Sequence, residues 1–183
     1  MTYYGGKDLA RSFRTVRNNT IQIAEEIPED RYDFRPAEGC RSVAETLVHI
    51  AVMSLVPEQI HFVERRTTLA GFDFFGFRQK LQDEAKAPRT KAQIIELLRT
   101  EGEKFAKALD GVTEEFLAEK VQYPEGMEPR VKSRFEMLTA PKEHEMHHRG
   151  QLMVIERMLG ITPHLTRRME EMIASMQASQ AGR

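Results

Sequence analysis

Apolar residues recur every three or four positions through most of the chain, which is the period of an amphipathic α-helix. The first such stripe consists of Leu9, Phe13, Val16, Thr20, Ile23 and Ile27. Pro28 follows it, so we predict a first helix of about 20 residues that ends near Ile27. No segment alternates convincingly at a period of two residues, which would indicate a strand. The pattern therefore predicts an all-α protein.

Capping boxes mark the starts of two further helices. In Ser42–Glu45 and in Thr90–Gln93, the first and last side chains can each satisfy a free backbone donor of a helix start. We predict a second helix that reaches about Arg65 and a third that Gly111 can end. The intervening segment 69–88 is less regular, and we predict a long connection with a brief helix there.

The last third of the chain contains two more helical stripes. A fourth helix can begin at Ser133 or at Thr139, and it is predicted to run to Gly160. Thr162 can then cap a final helix that has Pro163 at its first position.

Four long helices with two long connections predict a four-helix bundle with an additional C-terminal helix. We expect the bundle over about residues 7–160 and the final helix over about residues 163–178. At 183 residues the chain is expected to form one domain, 1–183.

The overall charge is close to neutral, because the chain has 27 lysine and arginine residues and 28 aspartate and glutamate residues. Such a chain lacks the nonspecific attraction to phosphate that most nucleic-acid binders use, so we expect no nucleic-acid partner. The longest uncharged apolar run, Ile50–Pro57, is shorter than the roughly 20 residues that cross a bilayer, so we expect no membrane partner. The start of the chain lacks signal-peptide features and Cys40 is the only cysteine, which favours a cytoplasmic location.

Three histidines are predicted to face the bundle interior. The stripe of the fourth helix consists of Leu138, Pro141, His144, His148, Leu152, Ile155 and Leu159. His144 and His148 lie one turn apart, about 6 Å along the helix, so both imidazoles can bind one ion, and His49 lies on the predicted inner face of the second helix. A single inward histidine is more often a hydrogen-bonded core residue, but one divalent cation can satisfy three at once. The spacing thus favours a metal site.

Two other metal-binding motifs also match the sequence around His144 and His148. His144–His148 matches H-E-x-x-H, in which Glu145 would be the general base of a zinc peptidase. The extended form of that motif fails, because Gln151 and Val154 stand where it needs glycine and histidine. The stretch also matches the E-x-x-H of di-iron bundles, but no second copy is evident.

The segment Glu143–Leu152, preceded far upstream by Tyr32–Pro36 and Ser42–Ile50, resembles the DinB family, also called DinB/YfiT-like. The likeness covers nearly the whole chain. It implies a four-helix bundle, often dimeric, so we expect a homodimer.

The resemblance also implies one divalent metal ion, nickel or zinc, held by three histidines that carry over to His49, His144 and His148. Related members are thiol-dependent transferases or isomerases that use a low-molecular-weight thiol, and many have no known activity. We therefore expect a thiol-dependent S-transferase or a hydrolase that acts on a small molecule. The alternative is a bundle that binds a metal or a ligand without catalysis.

The catalytic groups are less defined than the metal ligands. Three imidazoles leave a position open for a water molecule or a thiol, and Glu145 and His147 remain candidate catalytic residues. His147 lies about 100° around the helix from His148, so a role beside the metal or on the surface is expected. Gln151 matches the family motif without a role that the sequence explains. The phenylalanine cluster 72–77 could line a substrate entrance or pack over the bundle end.

Overall fold

The computed structural model describes residues 4–181 and is predominantly helical. In chain order the elements are α1 (Gly6–Glu26), α2 (Val43–Val52), α3 (Leu55–Pro57), α4 (Phe74–Lys86), α5 (Lys91–Asp110), α6 (Glu114–Ala118), β1 (Lys120–Gln122), β2 (Val131–Ser133), α7 (Arg134–Met158) and α8 (His164–Ala181). A 3₁₀ turn at Glu29–Arg31 and a π-helical segment at Glu58–Val63 complete the regular structure.

The helices α1, α2, α5 and α7 form a four-helix bundle. Helix α1 packs against α5 and α7, and α2 packs against the same two helices, so the order around the bundle is α1–α5–α2–α7. The main core cluster includes Ile23, Leu47, Leu98 and Leu152, one residue from each of the four helices. The predicted all-α bundle with an additional C-terminal helix is confirmed.

The predicted caps set most helix starts. The Ser42 and Thr90 capping boxes both form, and the Ser133 hydroxyl accepts from the backbone of Glu136. Helix α7 therefore begins after Ser133, and Pro141 lies inside it at a buried position. The last helix begins at His164, slightly later than its predicted start.

Two segments differ from the prediction. Helix α2 ends at Val52 and not near Arg65, because Pro57 lacks the N–H that would continue the helical ladder, and the chain continues through α3 into the π-helical segment. The segment after it contains α4, a helix of 13 residues capped by Asp73, so the regular structure there exceeds the brief helix expected.

A small antiparallel sheet lies in the connection between α6 and α7. Val121 of β1 is paired with Lys132 of β2, and Gln122 also makes an isolated bridge to Thr68. The prediction of no strands was wrong at this point, because three-residue strands are too short to show alternation. The sheet connects the segment around Thr68, after the π-helical segment, to the start of α7.

The segment Val43–Val63 is long and apolar enough to cross a membrane by length and composition alone. However, 56% of its most apolar window is buried inside the protein. Core helices of soluble proteins have the same character, and this segment supplies the second helix of the bundle.

Candidate metal centre

Helices α2 and α7 bring three imidazoles together. His144 and His148 lie one turn apart on α7, and His49 faces them from α2. The Nε2 atom of His144 lies 3.1 Å from the Nε2 atom of His49 and 3.1 Å from that of His148. The ligand atoms of all three lie within 4.8 Å of one another, so the structure brings together the three residues that the sequence singled out.

The donor set fits a divalent cation. Nitrogens bound to one tetrahedral zinc ion at about 2.0–2.1 Å would lie about 3.3 Å apart, close to the 3.1 Å that separates His144 from each of the other two histidines. Burial, with a contribution from positively charged neighbours, lowers the pKa of His49 to about 3 and that of His144 to about 4. The imidazoles are therefore neutral at pH 7, which is the form that binds metals.

Gln151 orients one of the three imidazoles. Its Oε1 atom lies 2.7 Å from Nδ1 of His148, and its Nε2 atom lies 3.1 Å from Nε2 of His147. The amide N–H of Gln151 can donate to His147 while its oxygen accepts from His148 Nδ1–H, an assignment inferred from the network. That tautomer leaves the Nε2 lone pair of His148 directed at the other two histidines, as in the hydrogen-bonded histidine ligands of metal sites.

The neighbouring Glu145 has a different partner. Its two carboxylate oxygens each lie 3.1 Å from Nε of Arg17, and both side chains are buried. Arg17 also donates to the backbone oxygens of Leu98 and Ile50. Gly102 provides the space, because a Cβ there would lie 2.8 Å from the Arg17 Cγ. A carboxylate held in this way is not available as the general base that the peptidase hypothesis requires.

Cavities reach the triad from three sides. One of about 700 Å³ is bordered by His148, His147 and Cys40, and one of about 310 Å³ with a mainly apolar lining reaches His144. A third, of about 450 Å³, reaches His49 and lies between α2 and α4. Small molecules can therefore approach the imidazoles, as an open catalytic site requires and a closed structural site does not.

Sequence reasoning missed Arg41 as a part of the site. Arg41 borders two of the three cavities, and its positive charge lowers the pKa of each histidine of the triad. The available signal was its position directly before the Ser42 cap, in the same segment that carries His49. In the phenylalanine cluster, Phe77 packs against the main core, whereas Phe75 is 87% exposed at the third cavity; its role at a substrate entrance stays a prediction.

Comparisons with known proteins identify a family and a relative that match most of the chain. The DinB family model matches residues 2–178. An uncharacterised protein of Bacillus subtilis (strain 168), YjoA, is 30% identical over 156 residues, which cover 82% of this chain and 88% of YjoA.

Solved structures show the same fold. The DinB-like crystal structure of YjoA has a TM-score of 0.61 at 27% identity and covers 84% of this chain and 93% of its own. YfiT from Bacillus subtilis, described as a probable metal-dependent hydrolase with an unusual four-helix bundle topology, has a TM-score of 0.68 at 15% identity, covering 88% and 91%. A DinB-like protein from Bacillus cereus has a TM-score of 0.63 at 18% identity, covering 88% and 97%.

Proposed function

The chain belongs to the DinB family, and from that premise we propose that it is a metal-dependent enzyme that transforms a small molecule by hydrolysis or by thiol transfer. The observation that carries the proposal is the convergence of the Nε2 atoms of His49, His144 and His148 beside cavities large enough for a small molecule. The description of YfiT as a probable metal-dependent hydrolase supports the same chemistry for a relative of this fold.

Each residue around the triad has a distinct role in this proposal. A nickel or zinc ion held by the triad would supply a Lewis acid that lowers the pKa of a bound water or of a low-molecular-weight thiol. Gln151 orients His148, and Arg41 provides positive charge for an anionic group of the substrate. His147 is exposed and bonded to Gln151, so its imidazole lies beside the triad where a substrate can reach it.

Metal-dependent turnover tests the proposal. Wild-type protein loaded with nickel or zinc would be assayed for hydrolysis of small esters and amides, and for addition of glutathione or bacillithiol to electrophiles such as 1-chloro-2,4-dinitrobenzene. We expect activity that a chelator abolishes, that added metal restores, and that His148→Ala lowers at least about 100-fold. Glu143→Ala, an exposed change on the same helix, is the matched control.

The assay distinguishes water from a thiol as the nucleophile, and it distinguishes both from a protein without catalytic activity. Activity without an added thiol identifies a hydrolase, and activity that requires the thiol identifies a transferase. Stoichiometric metal binding in a folded protein with no turnover in either series would contradict the proposal and support a metal-binding bundle without catalysis.

The expected homodimer also stays a prediction, and α8 is its candidate surface. Met169, Met172, Ile173 and Met176 of α8 are each about half exposed, as is Met158 of α7. An apolar stripe of this kind is a candidate contact between two copies of the chain. Light scattering after gel filtration should give twice the monomer mass, and Met172→Glu should return the monomer. The cytoplasmic location and the absence of nucleic-acid and membrane partners stay predictions as well.

A further inference from the structure

The cavity between α2 and α4 combines positive charge with an aromatic wall. Its charged lining residues are Arg41, which precedes α2, and Arg78 of α4, and no aspartate or glutamate borders it among the described residues. His49 of the triad also borders the cavity. The space is about 450 Å³, within the range of small-molecule sites.

Neither arginine donates its guanidinium hydrogens to another side chain of the described residues. Within residues 4–181 neither Arg41 nor Arg78 forms an ion pair or a side-chain hydrogen bond. By contrast, Arg35, a few residues before Arg41, forms a bidentate pair with Glu45, and Arg41 interacts with the same carboxylate only through its charge. Because the donors of these two guanidinium groups are not used by other side chains, they are available for an oxyanion, the group that guanidinium forks bind best.

The aromatic wall comes from the start of α4 and the residues just before it. Phe72, Phe74, Phe75 and Phe77 all border the cavity, and the rings of Phe72 and Phe74 meet edge to face with centroids 4.7 Å apart. Phe75 is 87% exposed, an unusual position for a phenylalanine that serves packing alone. Together with Met53 and Val56 of the opposite wall, the rings offer an apolar surface next to the two positive charges.

We propose that this cavity binds the substrate, and that the substrate is an amphipathic oxyanion. Arg41 and Arg78 hold its carboxylate or phosphate, the phenylalanine wall packs against its aromatic or alkyl body, and its reacting part lies next to His49. The assignment of this ligand as the substrate rests on the proposed function. The binding of an amphipathic oxyanion here does not, because the arginines and the rings bind without the metal.

Binding of defined probes tests the inference. Isothermal titration or ligand-observed NMR would compare 4-phenylbutyrate and phenyl phosphate with the neutral 4-phenyl-1-butanol and with butyrate, which lacks the ring. We expect both aromatic anions to bind at least about tenfold more tightly than the alcohol or butyrate. A tighter fit of one aromatic anion identifies carboxylate or phosphate as the preferred head group, and either result supports the proposed class.

Variants separate the charge from the apolar wall. Arg41→Gln and Arg78→Gln should each weaken 4-phenylbutyrate roughly three- to tenfold and leave the alcohol unchanged, whereas Phe75→Ala should weaken both. Arg11→Gln removes an exposed arginine paired with Asp8 and is the matched control. All three cavity positions are exposed, so the variants are expected to fold. Equal affinity for acid and alcohol, or unchanged acid binding in both arginine variants, would overturn the inference.

The titrations would be repeated on chelator-treated protein and on the nickel-loaded form. Arginine-dependent binding in both forms supports the inference even where no turnover is found, so the proposed function can fail alone. Binding that appears only with nickel and is indifferent to both arginines shows a ligand held by the metal. That result would overturn the inference and leave the metal-dependent function standing.

Discussion

Helix α7 carries two groups of partly or fully buried ionisable side chains, and they differ in whether their ligand atoms converge on one point. Near its middle, His144 and His148 turn their Nε2 atoms toward His49 of another helix, with 3.1 Å between neighbouring nitrogens. Near its end, Glu156 is fully buried close to the charges of Glu26, Arg157 and Arg167, and neither of its carboxylate oxygens has a hydrogen-bond partner among the described residues.

The arrangement of the polar atoms distinguishes a candidate metal site from an isolated buried carboxyl group. At the triad the donor atoms converge on one point, and among the described residues no other group of histidine, cysteine or acidic side chains does so. At the second group, burial and the nearby Glu26 raise the pKa of Glu156 to about 7, so its carboxyl group reduces the cost of burial by taking up a proton. Convergence of lone pairs, more than burial, therefore indicates a metal site.

Removal of one imidazole is expected to have the largest effect. His49→Ala should lower the affinity for nickel or zinc about 1000-fold, because two ligands cannot replace a three-ligand set. Metal content measured by inductively coupled plasma mass spectrometry should fall from about one ion per chain to a small fraction. His147→Ala, which removes an imidazole outside the triad, is the control. Equal metal loss in both variants, or none in His49→Ala, would contradict the assignment.

The buried ion pair next to the triad should dominate stability. Glu145→Gln leaves the Arg17 charge buried without a counter-ion, since their side chains are only 4% and 1% exposed. We expect the free energy of unfolding to fall by about 3–5 kcal/mol in urea denaturation. Glu103→Gln, which removes an exposed partner of Arg14, should cost less than about 1 kcal/mol. Equal costs for the two variants would show that burial of the pair has no special weight.

Glu156 should make the free energy of unfolding fall as the pH rises. A salt-bridged carboxylate has the opposite effect. The pKa of Glu156 rises from 4.5 to about 7 on folding, so the unfolded chain binds fewer protons between these values. Stability from this group is therefore present below about pH 4.5, is lost as the pH rises to about 7, and stays lost above it.

Glu156→Gln removes this titration. Relative to wild type, the variant should gain about 2–3 kcal/mol of unfolding free energy between pH 4.5 and pH 8, measured by urea denaturation at several pH values. Glu143→Gln on the same helix is exposed and should show no such trend. A constant difference between wild type and Glu156→Gln at every pH would refute the raised pKa.

The smallest effect is expected from the side chain that orients His148. Gln151→Ala removes the acceptor of His148 Nδ1–H and should weaken metal binding about 10–100-fold without changing the ligand set. Gln151→Glu keeps an acceptor at that position and should retain most of the affinity. Competition titration with a chromogenic chelator measures both variants. If the alanine and glutamate variants bind the metal equally, Gln151 has no role in orienting the imidazole.

The sequence by itself predicted the features that depend on nearby residues. The apolar stripes placed the bundle helices, the boxes at Ser42 and Thr90 placed two helix starts, and the four-residue spacing placed His144 and His148 on one face. These features follow from the 3.6-residue turn and from contacts within four positions, so the local amino-acid sequence is sufficient to predict them.

The tertiary structure decided the features that depend on distant parts of the chain. The partner of Glu145 is Arg17, 128 positions away, and the same packing brings Arg41 to the triad and Arg78 to the same cavity as Arg41. The three-residue strands likewise become visible only where β1 and β2 pair. Which side chains meet across helices depends on how the helices are ordered and rotated in the bundle, and no local period in the sequence records that arrangement.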